Sequence, residues 1–316
     1  MIVVSERLLE SALEPHRNTF NIHYDPSLFQ KRDELKMLLT NASALIVRNQ
    51  TQVDADLIAE ASNLKVVGRL GVGLDNLDMP ALKERGVAVT WGPGTNAVSV
   101  AEYVLGAMLE LSRRFCQVSA ELHGGAWNRQ AAIGTELYGK TLGIVGLGDI
   151  GSRLARRAHA FGMNVIAHDP VVHENAFAPQ EYGVGLLELS EVLQSDFISL
   201  HAPLLPSTRH LINAETLGQM KPSAYLINTA RGGLVDEHAL ANGLRSGKLA
   251  GAALDVRESE PPGEDDPLRG LDNIILTPHV AGVTRESNAR VSFHVVEDVV
   301  RVLNGNAPLS RAPGSA

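Results

Sequence analysis

The sequence predicts an α/β protein built from two doubly wound parallel-sheet domains. Short apolar runs alternate with helical patterns along nearly the whole chain, and this alternation is typical of parallel sheets covered by helices. At 316 residues the chain is long enough for two domains, each with a full hydrophobic core. A dense group of chain-breaking residues, from Gly92 to Asn96, indicates a boundary between them.

Residues 1–97 are predicted to form the first parallel sheet. Strands are expected at residues 2–4, 44–47, 66–67 and 87–89, and helices near residues 6–13, 53–61 and 79–85. Arg48 and Arg69 lie at the ends of two of these strands. Because ligands collect at the carboxyl ends of parallel strands, each arginine is either a solvated surface charge or a ligand for an anion. The backbone amides of Val72 and Gly73 can approach such an anion closely, and Asn96 is a further candidate substrate ligand.

The segment from Val98 to Leu111 is predicted to be a helix that is apolar around most of its surface. Such a helix needs two apolar partners, its own domain and another surface, so we expect a homodimer formed through it. Cys116 lies in an apolar helical run, which favours a buried inert thiol over a nucleophile. Residues 124–139 show little periodicity and are expected to form a loop.

Residues 141–170 are predicted to form a strand, a glycine turn, a helix and a second strand. Gly146 allows the tight turn, Gly148 lets the backbone approach a pyrophosphate, and Gly151 lets the helix pack closely on the strand. Asp149 and Ile150 begin the helix, whose free N–H groups favour a phosphate. The three glycines alone also fit a plain buried turn, but the flanking strands and the acid that follows favour a dinucleotide site.

The acid is Asp169, which lies 18 residues after Gly151 at the end of the second strand. A carboxylate there can accept hydrogen bonds from both ribose hydroxyls of the adenosine half of a cofactor, and it would repel a 2′-phosphate. No lysine or arginine occurs between Pro170 and Gln180 to hold that phosphate. The sequence therefore predicts NAD rather than NADP.

After Asp169 the alternation of strands and helices resumes. Strands are expected at residues 197–200, 224–227, 251–254 and 274–276, and helices at 186–193, 214–220 and 237–244. With the two strands before them, these make about six, as in a complete doubly wound sheet. A long amphipathic helix is expected at residues 286–304, and residues 305–316, rich in proline and small residues, are expected to form a loose tail.

Composition excludes several classes of function. The formal net charge is −8 and no basic block occurs, which argues against nucleic acid or an anionic membrane as a principal partner. A single cysteine permits no intrachain disulfide, and no signal or membrane-spanning pattern is present, so a cytoplasmic location is expected. No metal site is expected.

Five motifs in order carry a resemblance to a known family: GLGDIG, HAPL with Thr208, NTARGGLVDE, LDVRESEPP and TPHVAGVT. The chain resembles the D-isomer-specific 2-hydroxyacid dehydrogenases, and its motifs are most similar to those of phosphoglycerate and hydroxypyruvate dehydrogenases. The resemblance implies a Rossmann cofactor domain, residues 98–283, inserted into a flavodoxin-like substrate domain made of residues 1–97 and 284–316. It also implies that the substrate domain closes over the cofactor domain.

The resemblance assigns three residues to catalysis. Arg231 matches the arginine that binds the substrate carboxylate; its fork of N–H groups suits that role, although a salt bridge is the alternative. His279 matches the general acid/base, and Glu260 matches the glutamate that favours its protonated form. Without the resemblance Glu260 would be an ordinary solvated charge. Formate dehydrogenases of the same superfamily place glutamine there, so Glu260 favours a hydroxy acid.

The remaining motif residues are expected to contact the cofactor. Asp255 matches a position on the nicotinamide side in this family. The other expected contacts, all at strand ends or in the turns that follow, are His201, Ala202, Pro203, Thr208, Thr229, Ala230 and Gly282. One departure from the family pattern is Arg257, where relatives usually carry phenylalanine or tyrosine. This extra cation either alters contacts with substrate or cofactor or faces solvent.

The predicted activity is hydride transfer between nicotinamide and C2 of a small 2-hydroxy or 2-keto acid. Arg48 and Arg69 match the positions that hold the anionic tail in phosphoglycerate dehydrogenases, so a phosphate, sulfonate or carboxylate on C3 is expected. Two alternatives stay open. One is a hydroxypyruvate or glyoxylate reductase, whose substrate does not require both arginines. The other is an NAD(H)-sensing binding protein like the transcriptional corepressors that resemble this family.

Overall fold

The computed structural model describes residues 1–130 and 132–316, and the chain divides into two compact units. The first unit consists of Met1–Asn96 and Val283–Ala316, and the second consists of Ala97–Gly282. The second unit is therefore an insertion into the first. Each unit contains one parallel sheet with helices packed on it.

The first unit is built on a five-stranded sheet with the order β2-β1-β3-β4-β5. Its strands are Ile2–Val4 (β1), Ile22–Tyr24 (β2), Ala44–Val47 (β3), Val66–Arg69 (β4) and Ala88–Trp91 (β5), and its first helices are Arg32–Leu39 (α1), Ala55–Glu60 (α2) and Met79–Glu84 (α3). All residues of β1 and β3 are buried, as expected for strands covered on both faces. This strand order is the flavodoxin-like one, which confirms the fold expected for this part of the chain.

Within Met1–Asn96, three parts of the first unit differ from the sequence prediction. Strand β2 and helix α1 were not predicted: β2 is a half-buried edge strand interrupted by His23, which hides the apolar pattern. The helix predicted at residues 6–13 is wrong. Only short 3₁₀ turns form there, Glu10–Ala12 and Glu14–His16. The Glu6 side chain is buried and accepts four backbone hydrogen bonds, which fixes the chain in another conformation.

The second unit is built on a seven-stranded sheet. Its strands are Thr141–Val145 (β6), Asn164–His168 (β7), Gly185–Leu186 (β8), Phe197–Leu200 (β9), Tyr225–Asn228 (β10), Gly251–Leu254 (β11) and Ile274–Leu276 (β12). Its helices are Ala97–Arg113 (α4), Phe115–His123 (α5), Asp149–Ala160 (α6), Phe177–Tyr182 (α7), Leu189–Val192 (α8), Ala214–Gln219 (α9) and Glu237–Arg245 (α10). The sheet order is β12-β11-β10-β9-β6-β7-β8, with all pairs parallel.

This order is the Rossmann order, extended by one strand at the far edge, so the predicted fold is confirmed. The chain leaves β6 toward β7 and later returns to pair β9 on the other side of β6. The carboxyl ends of β6 and β9 are therefore the topological switch point, where open α/β sheets bind ligands. The helix predicted at residues 186–193 is partly wrong, because Leu186 ends strand β8 and α8 begins only at Leu189.

Helices α4 and α5 differ sharply in burial. Val100, Val104 and Met108 of α4 lie in the core of the second unit, whereas no residue of α5 is buried. Cys116 is exposed on α5, so the expectation of a buried thiol is wrong. The loop expected at residues 124–139 includes residue 131, which lies outside the described residues; the described part of that segment contains no helix or strand. Among the described residues, no helix combines the length and apolar character needed to span a membrane.

The chain returns to the first unit with the helix Arg285–Leu303 (α11), close to the predicted span. The loose tail predicted after it is wrong. The buried carboxylate of Asp298 on α11 accepts hydrogen bonds from the amides of Leu309 and Ser310, at 2.6 and 2.8 Å. Ala312 is buried, and its amide donates to the carbonyl of Val89. The tail thus packs along strand β5. Asp298, which holds the tail, lies outside it, so the composition of the tail does not reveal this packing.

Candidate active site

The glycine turn after β6 shows a separate structural reason for each of its three glycines. Gly146 has φ of 96°, and a Cβ there would lie 2.8 Å from the backbone of His201 and Ala202. A Cβ on Gly151 would lie 2.3 Å from the carbonyl oxygen of Gly146, because helix α6 begins directly against the turn. A Cβ on Gly148 would meet nothing within 4 Å. That position is open on the side where the first turn of α6, with Asp149 and Ile150, presents its free N–H groups.

Asp169 follows β7 and is tied to this turn. One carboxylate oxygen accepts a hydrogen bond from the amide of Leu147 at 2.8 Å, and the other accepts from the amides of Val171 and Val172. A cleft of about 460 Å³ adjoins Asp169, and its charged lining includes Glu188 and Glu191. This acidic lining disfavours a 2′-phosphate, as the sequence predicted.

The end of β9 forms the other side of the switch point. His201 lies within 2.9 Å of the Ser199 hydroxyl through Nε2, and burial lowers the pKa of His201 to about 4, so the ring is neutral near pH 7. Its Nδ1 is buried and has no hydrogen-bond partner within the described chain. The hydroxyl of Thr208 donates to the carbonyl of Pro203 and accepts from the amide of Leu205, so Thr208 fixes the turn that contains Ala202 and Pro203.

Arg231 follows strand β10, and hydrogen bonds with neighbouring residues hold it in place. The Asn228 side chain donates to the carbonyl of Arg231 and accepts from the amide of Ala230, and Arg231 Nη1 donates to the carbonyl of Ala230 at 2.7 Å. The buried hydroxyl of Thr229 has no partner within the described residues. A Cβ on Gly232 would lie 1.9 Å from the carbonyl carbon of Arg257, so the residue beside Arg231 must be glycine.

His279 and Glu260 form a hydrogen-bonded pair. Nδ1 of His279 lies 2.8 Å from Oε2 of Glu260, and both side chains are about two-fifths exposed, at 43% and 39%. The carboxylate assigns the proton to Nδ1 and leaves Nε2 available to exchange a proton with a substrate oxygen. His279 has φ of 55°, an uncommon conformation for a residue other than glycine, and its amide donates to the carbonyl of Asp255.

The Asp255 carboxylate is 1% exposed and supports the segment that carries His279. It accepts hydrogen bonds from the amides of Val280 and Ala281, at 2.8 and 2.7 Å, and from the hydroxyl of Thr277 at 2.6 Å. The hydroxyl of Tyr103, on α4, in turn lies 2.6 Å from that of Thr277. The carboxylate of Asp255 therefore supports the segment of residues 277–281, and its expected contact with the nicotinamide stays a prediction. Gly282 ends the second unit just after this segment.

Arg257 is nearly buried, with 8% of its side chain exposed, so the alternative that it faces solvent is wrong. Its guanidinium donates to Glu237 at 2.8 and 2.9 Å and to Asp266 at 2.6 and 3.2 Å. Glu237, with Asp266 beside it, raises the pKa of Arg257 above its usual range. The Arg257 hydrogen bond lowers the pKa of Asp266. We call these three residues the Arg257 cluster.

In the first unit, Arg48 and Arg69 lie at the carboxyl ends of the neighbouring strands β3 and β4. Arg48 donates to the Asn288 side chain at 2.8 Å, and burial lowers the pKa of Arg48 while the Glu6 carboxylate opposes that shift. Both oxygens of Glu6 are already held by the backbone amides of residues 48–51. Glu6 is thus committed to the backbone rather than to the Arg48 guanidinium.

Arg69 lies over the glycine pair that follows it. Its Nη1 donates to the carbonyl of Leu70 at 3.0 Å, and a Cβ on Gly71 would lie 1.7 Å from the same nitrogen. Gly71 has φ of 151°, so glycine is required there by backbone conformation as well as by space. Val72 and Gly73 follow in a half-buried bend. Oδ1 of Asn96 is buried and has no hydrogen-bond partner within the described chain.

Several residues that support the site were missed from sequence. Tyr103, Thr277, Glu237 and Asp266 each act through a partner elsewhere in the chain. Thr277 and Glu237 lie within the quoted motifs TPHVAGVT and NTARGGLVDE, but the motifs gave them no role. Glu6 was likewise missed, since an acid near the amino terminus is unremarkable by itself. Glu237 directly follows Asp236, the N-cap residue of α10. An acid at that position is consistent either with helix capping or with a tertiary contact.

The second unit fits a dinucleotide on its own features. The open side of Gly148 adjoins the start of α6, a 12-residue helix, and two buried polar atoms at strand ends, His201 Nδ1 and Thr229 Oγ1, lack partners in the described chain. Gly146, Gly148 and Gly151 would hold the pyrophosphate, and Asp169 would face the adenosine ribose. Within the described residues, no group of three or more His, Cys, Asp or Glu side chains could hold a metal ion.

Comparison with curated proteins gives relatives over most of the chain. The (S)-sulfolactate dehydrogenase of Chromohalobacter salexigens is 46% identical over 97% of this chain and 99% of its own length. The hydroxypyruvate reductase of Thermotoga maritima is 45% identical over 86% of this chain and 89% of its length. The D-3-phosphoglycerate dehydrogenase of Methanocaldococcus jannaschii is 42% identical over 96% of this chain, but the chain spans only 57% of that protein.

Solved structures of the same fold also cover nearly the whole chain. The TT0316 protein of Thermus thermophilus superposes with a TM-score of 0.91 at 36% identity, covering 98% of this chain and 99% of that one. The D-lactate dehydrogenase of Aquifex aeolicus, solved with NAD and lactic acid, gives 0.84 at 31% identity, covering 97% and 96%.

Residues 105–281 match the model of the family described as D-isomer specific 2-hydroxyacid dehydrogenase, NAD binding domain. The chain belongs to the D-isomer-specific 2-hydroxyacid dehydrogenase family. It is an NAD-dependent enzyme that acts on a 2-hydroxy acid or the corresponding 2-keto acid. Both the family and the cofactor predicted from the sequence motifs are therefore confirmed.

Proposed function

We propose that this dehydrogenase interconverts a 2-hydroxy acid and a 2-keto acid that carry a second anionic group on C3, such as sulfolactate or 3-phosphoglycerate. The observation that carries the proposal is the pair Arg48 and Arg69, which place two guanidinium groups at the carboxyl ends of adjacent strands. Guanidinium groups bind phosphate, sulfonate and carboxylate oxygens with short charge-assisted hydrogen bonds. We assign substrate binding to the first unit on this basis, with Val72, Gly73 and Asn96 as further contacts.

Three residues of the second unit are proposed to perform the chemistry. Arg231 binds the substrate carboxylate through two parallel hydrogen bonds and draws electron density from the adjoining carbonyl. His279 donates the proton from Nε2 to the carbonyl oxygen during reduction and removes it during oxidation. Glu260 stabilises the imidazolium form through Nδ1. Bound NAD(H) supplies the hydride acceptor or donor.

The curated relatives support this range of substrates and leave one alternative. Sulfolactate and phosphoglycerate, named for two relatives, both carry an anionic group on C3. Hydroxypyruvate, named for a third, carries a neutral hydroxyl there. The alternative is therefore a hydroxypyruvate or glyoxylate reductase. The two proposals differ in whether Arg48 and Arg69 bind the substrate, so substrate comparison on variants separates them.

Replacing Arg69 with alanine is expected to raise KM for sulfopyruvate or phosphohydroxypyruvate by about 10–100-fold, because one charge-assisted contact is lost. The KM for glyoxylate, which has no C3 group, should change by less than about threefold if its contacts are unaffected. The measurement is the rate of NADH oxidation across a panel of 2-keto acids. Arg17→Ala, which removes an exposed arginine from the same unit, is the control. An equal rise in KM for all substrates would show that Arg69 has a structural role only.

A homodimer formed through α4 and α5 is also proposed. On α4, Tyr103, Leu109 and Leu111 are only partly buried, and on α5 Phe115 and Leu122 are 51% and 53% exposed. Apolar surface of this kind on two consecutive helices is typical of a subunit interface. The isologous contact of a twofold dimer would cover the same patch on both copies.

Light scattering after size exclusion is expected to give twice the chain mass of 33.9 kDa at micromolar concentration. The change Leu122→Asp should shift the mass toward that of one chain, because a charge in the interface is costly to bury. Met37→Asp, at an exposed position of the first unit, should leave the mass unchanged. A wild-type mass of 33.9 kDa would refute the dimer.

A cytoplasmic location is proposed as well. The single cysteine, Cys116, is exposed on α5, and an exposed thiol persists in reduced form in a reducing compartment. No disulfide within the chain is possible with one cysteine. Both features suit the cytoplasm.

A further inference from the structure

The segment that carries Glu260 has little apolar packing of its own. From Glu258 to Asp265 every residue is exposed, and buried side chains resume only at Leu268. The carboxylate of Glu260 nevertheless makes two defined contacts. Oε2 pairs with His279 Nδ1 at 2.8 Å, and Oε1 accepts a hydrogen bond from the backbone amide of Arg257 at 3.0 Å. Something other than hydrophobic burial must hold this loop in place.

The Arg257 cluster holds this loop in place at both of its ends. The Arg257 guanidinium joins residue 257 to Asp266, nine positions later, and joins both to Glu237 at the start of α10. Exposure of the three side chains is 6–9%. The carboxylates also bind the backbone: Glu237 accepts from the amide of Glu258, and Asp266 accepts from the amide of Leu268. A nearly buried, hydrogen-bonded ion cluster is costly to open, because removing one partner leaves a charge uncompensated.

We propose that Arg257 is a positioning residue, which holds Glu260 against His279 by clamping the loop of residues 256–266 to Glu237 and Asp266. The inference rests on the proposed function, since it assumes that the Glu260–His279 pair handles the substrate proton. The same loop also packs against Gly232, beside Arg231, where its peptide excludes any side chain. Arg257 thus fixes the carboxylate behind the acid/base while touching neither substrate nor cofactor.

A double-mutant cycle tests the inference. Arg257→Met keeps an unbranched apolar stem and removes the guanidinium with its charge and its hydrogen bonds. We expect it to lower kcat for sulfopyruvate reduction by about 10–100-fold, the range for a small displacement of an acid/base group. In a Glu260→Gln background the same change should lower kcat by less than about twofold, because residues that act through one another are not additive. An equal loss in both backgrounds would overturn the proposal.

The pH profile gives a second readout that a structural role alone would not move. Reduction needs protonated His279, so its rate is high at low pH and falls as pH rises. Oε2 of Glu260 lies 2.8 Å from Nδ1 of His279, so displacing the carboxylate should move this fall to lower pH. Removing a positive charge would by itself move the fall to higher pH, so the direction of the shift separates the two effects. The other charged groups near this pair are Asp255, Glu258 with His210 and Arg209, Arg231, Glu237 and Asp266, and the substitution changes none of these residues.

Controls separate failure of this inference from failure of the proposed function. Asp266→Asn removes one carboxylate and keeps the Glu237 pair, so it should fold and lose less kcat than Arg257→Met does. Arg257→Lys should recover part of the lost rate, because it restores the charge without the guanidinium fork. Lys221→Met removes another ion pair of the second unit and should leave the pH profile unchanged. If Glu260→Gln alone leaves kcat and its pH dependence unchanged, the proposed role of Glu260 fails, and this inference with it.

Discussion

Replacing His279 with asparagine is expected to lower kcat by about 10²–10⁴-fold, the usual contribution of a general acid/base. Asparagine is chosen because φ is 55° at this position and asparagine tolerates that conformation better than alanine does. The amide of residue 279 can therefore keep its hydrogen bond to the carbonyl of Asp255. What disappears is the imidazole ring, whose Nδ1 faces Glu260 and whose Nε2 is the proposed site of proton exchange.

The measurement for His279→Asn is steady-state NADH oxidation together with NADH binding by fluorescence. Binding should be unchanged within about twofold, because Gly146, Gly148 and Gly151 are untouched. His159→Asn, which alters an exposed histidine near the end of α6, serves as the control. Turnover of His279→Asn at the wild-type rate would refute the acid/base assignment.

Replacing Arg231 with methionine is the other change with a large expected effect. It should lower kcat/KM by about 10³-fold for every 2-keto acid, because each of them presents a carboxylate that requires the bidentate contact. This uniform loss differs from that expected for Arg69, which depends on the C3 substituent. Arg231→Lys should restore only part of the activity, since an ammonium group lacks the planar fork.

The measurement for Arg231→Met is kcat/KM for glyoxylate and for sulfopyruvate, with thermal unfolding as the check on the fold. Arg231 Nη1 also donates to the carbonyl of Ala230, so the unfolding midpoint is compared with that of Arg231→Lys. Loss of activity with one substrate alone would place Arg231 away from the common carboxylate.

The fold was predictable because its signals are local. Each signal lies within a few residues of sequence: the glycines of the turn, the apolar strands and the acid after β7. The sheet orders follow from connections that such signals imply. Strand β2 escaped prediction because an edge strand of three half-buried residues carries little hydrophobic pattern.

Candidate site residues could be proposed from the sequence only where one side chain performs one task in a recognised motif. His279, Glu260 and Arg231 are of this kind, and the structure shows the first two paired. Arg257 was misjudged because an isolated arginine in a loop resembles a solvated charge until Glu237 and Asp266 are brought to it. The prediction of a loose tail at residues 305–316 was wrong for the same reason. The packing of the tail depends on Asp298, which lies outside it.

The buried Glu6 has a consequence for how this enzyme could acquire new substrates. In the first unit, the backbone amides that follow β3 already bind an internal anion, the Glu6 carboxylate. At the end of β3, a substrate anion would therefore be selected by side chains such as Arg48 rather than by these amides. An anion site made of backbone amides changes only through insertions or refolding, whereas a side chain changes through a mutation in a single codon. Substrate preference here is thus open to stepwise evolution by single substitutions that leave the scaffold intact.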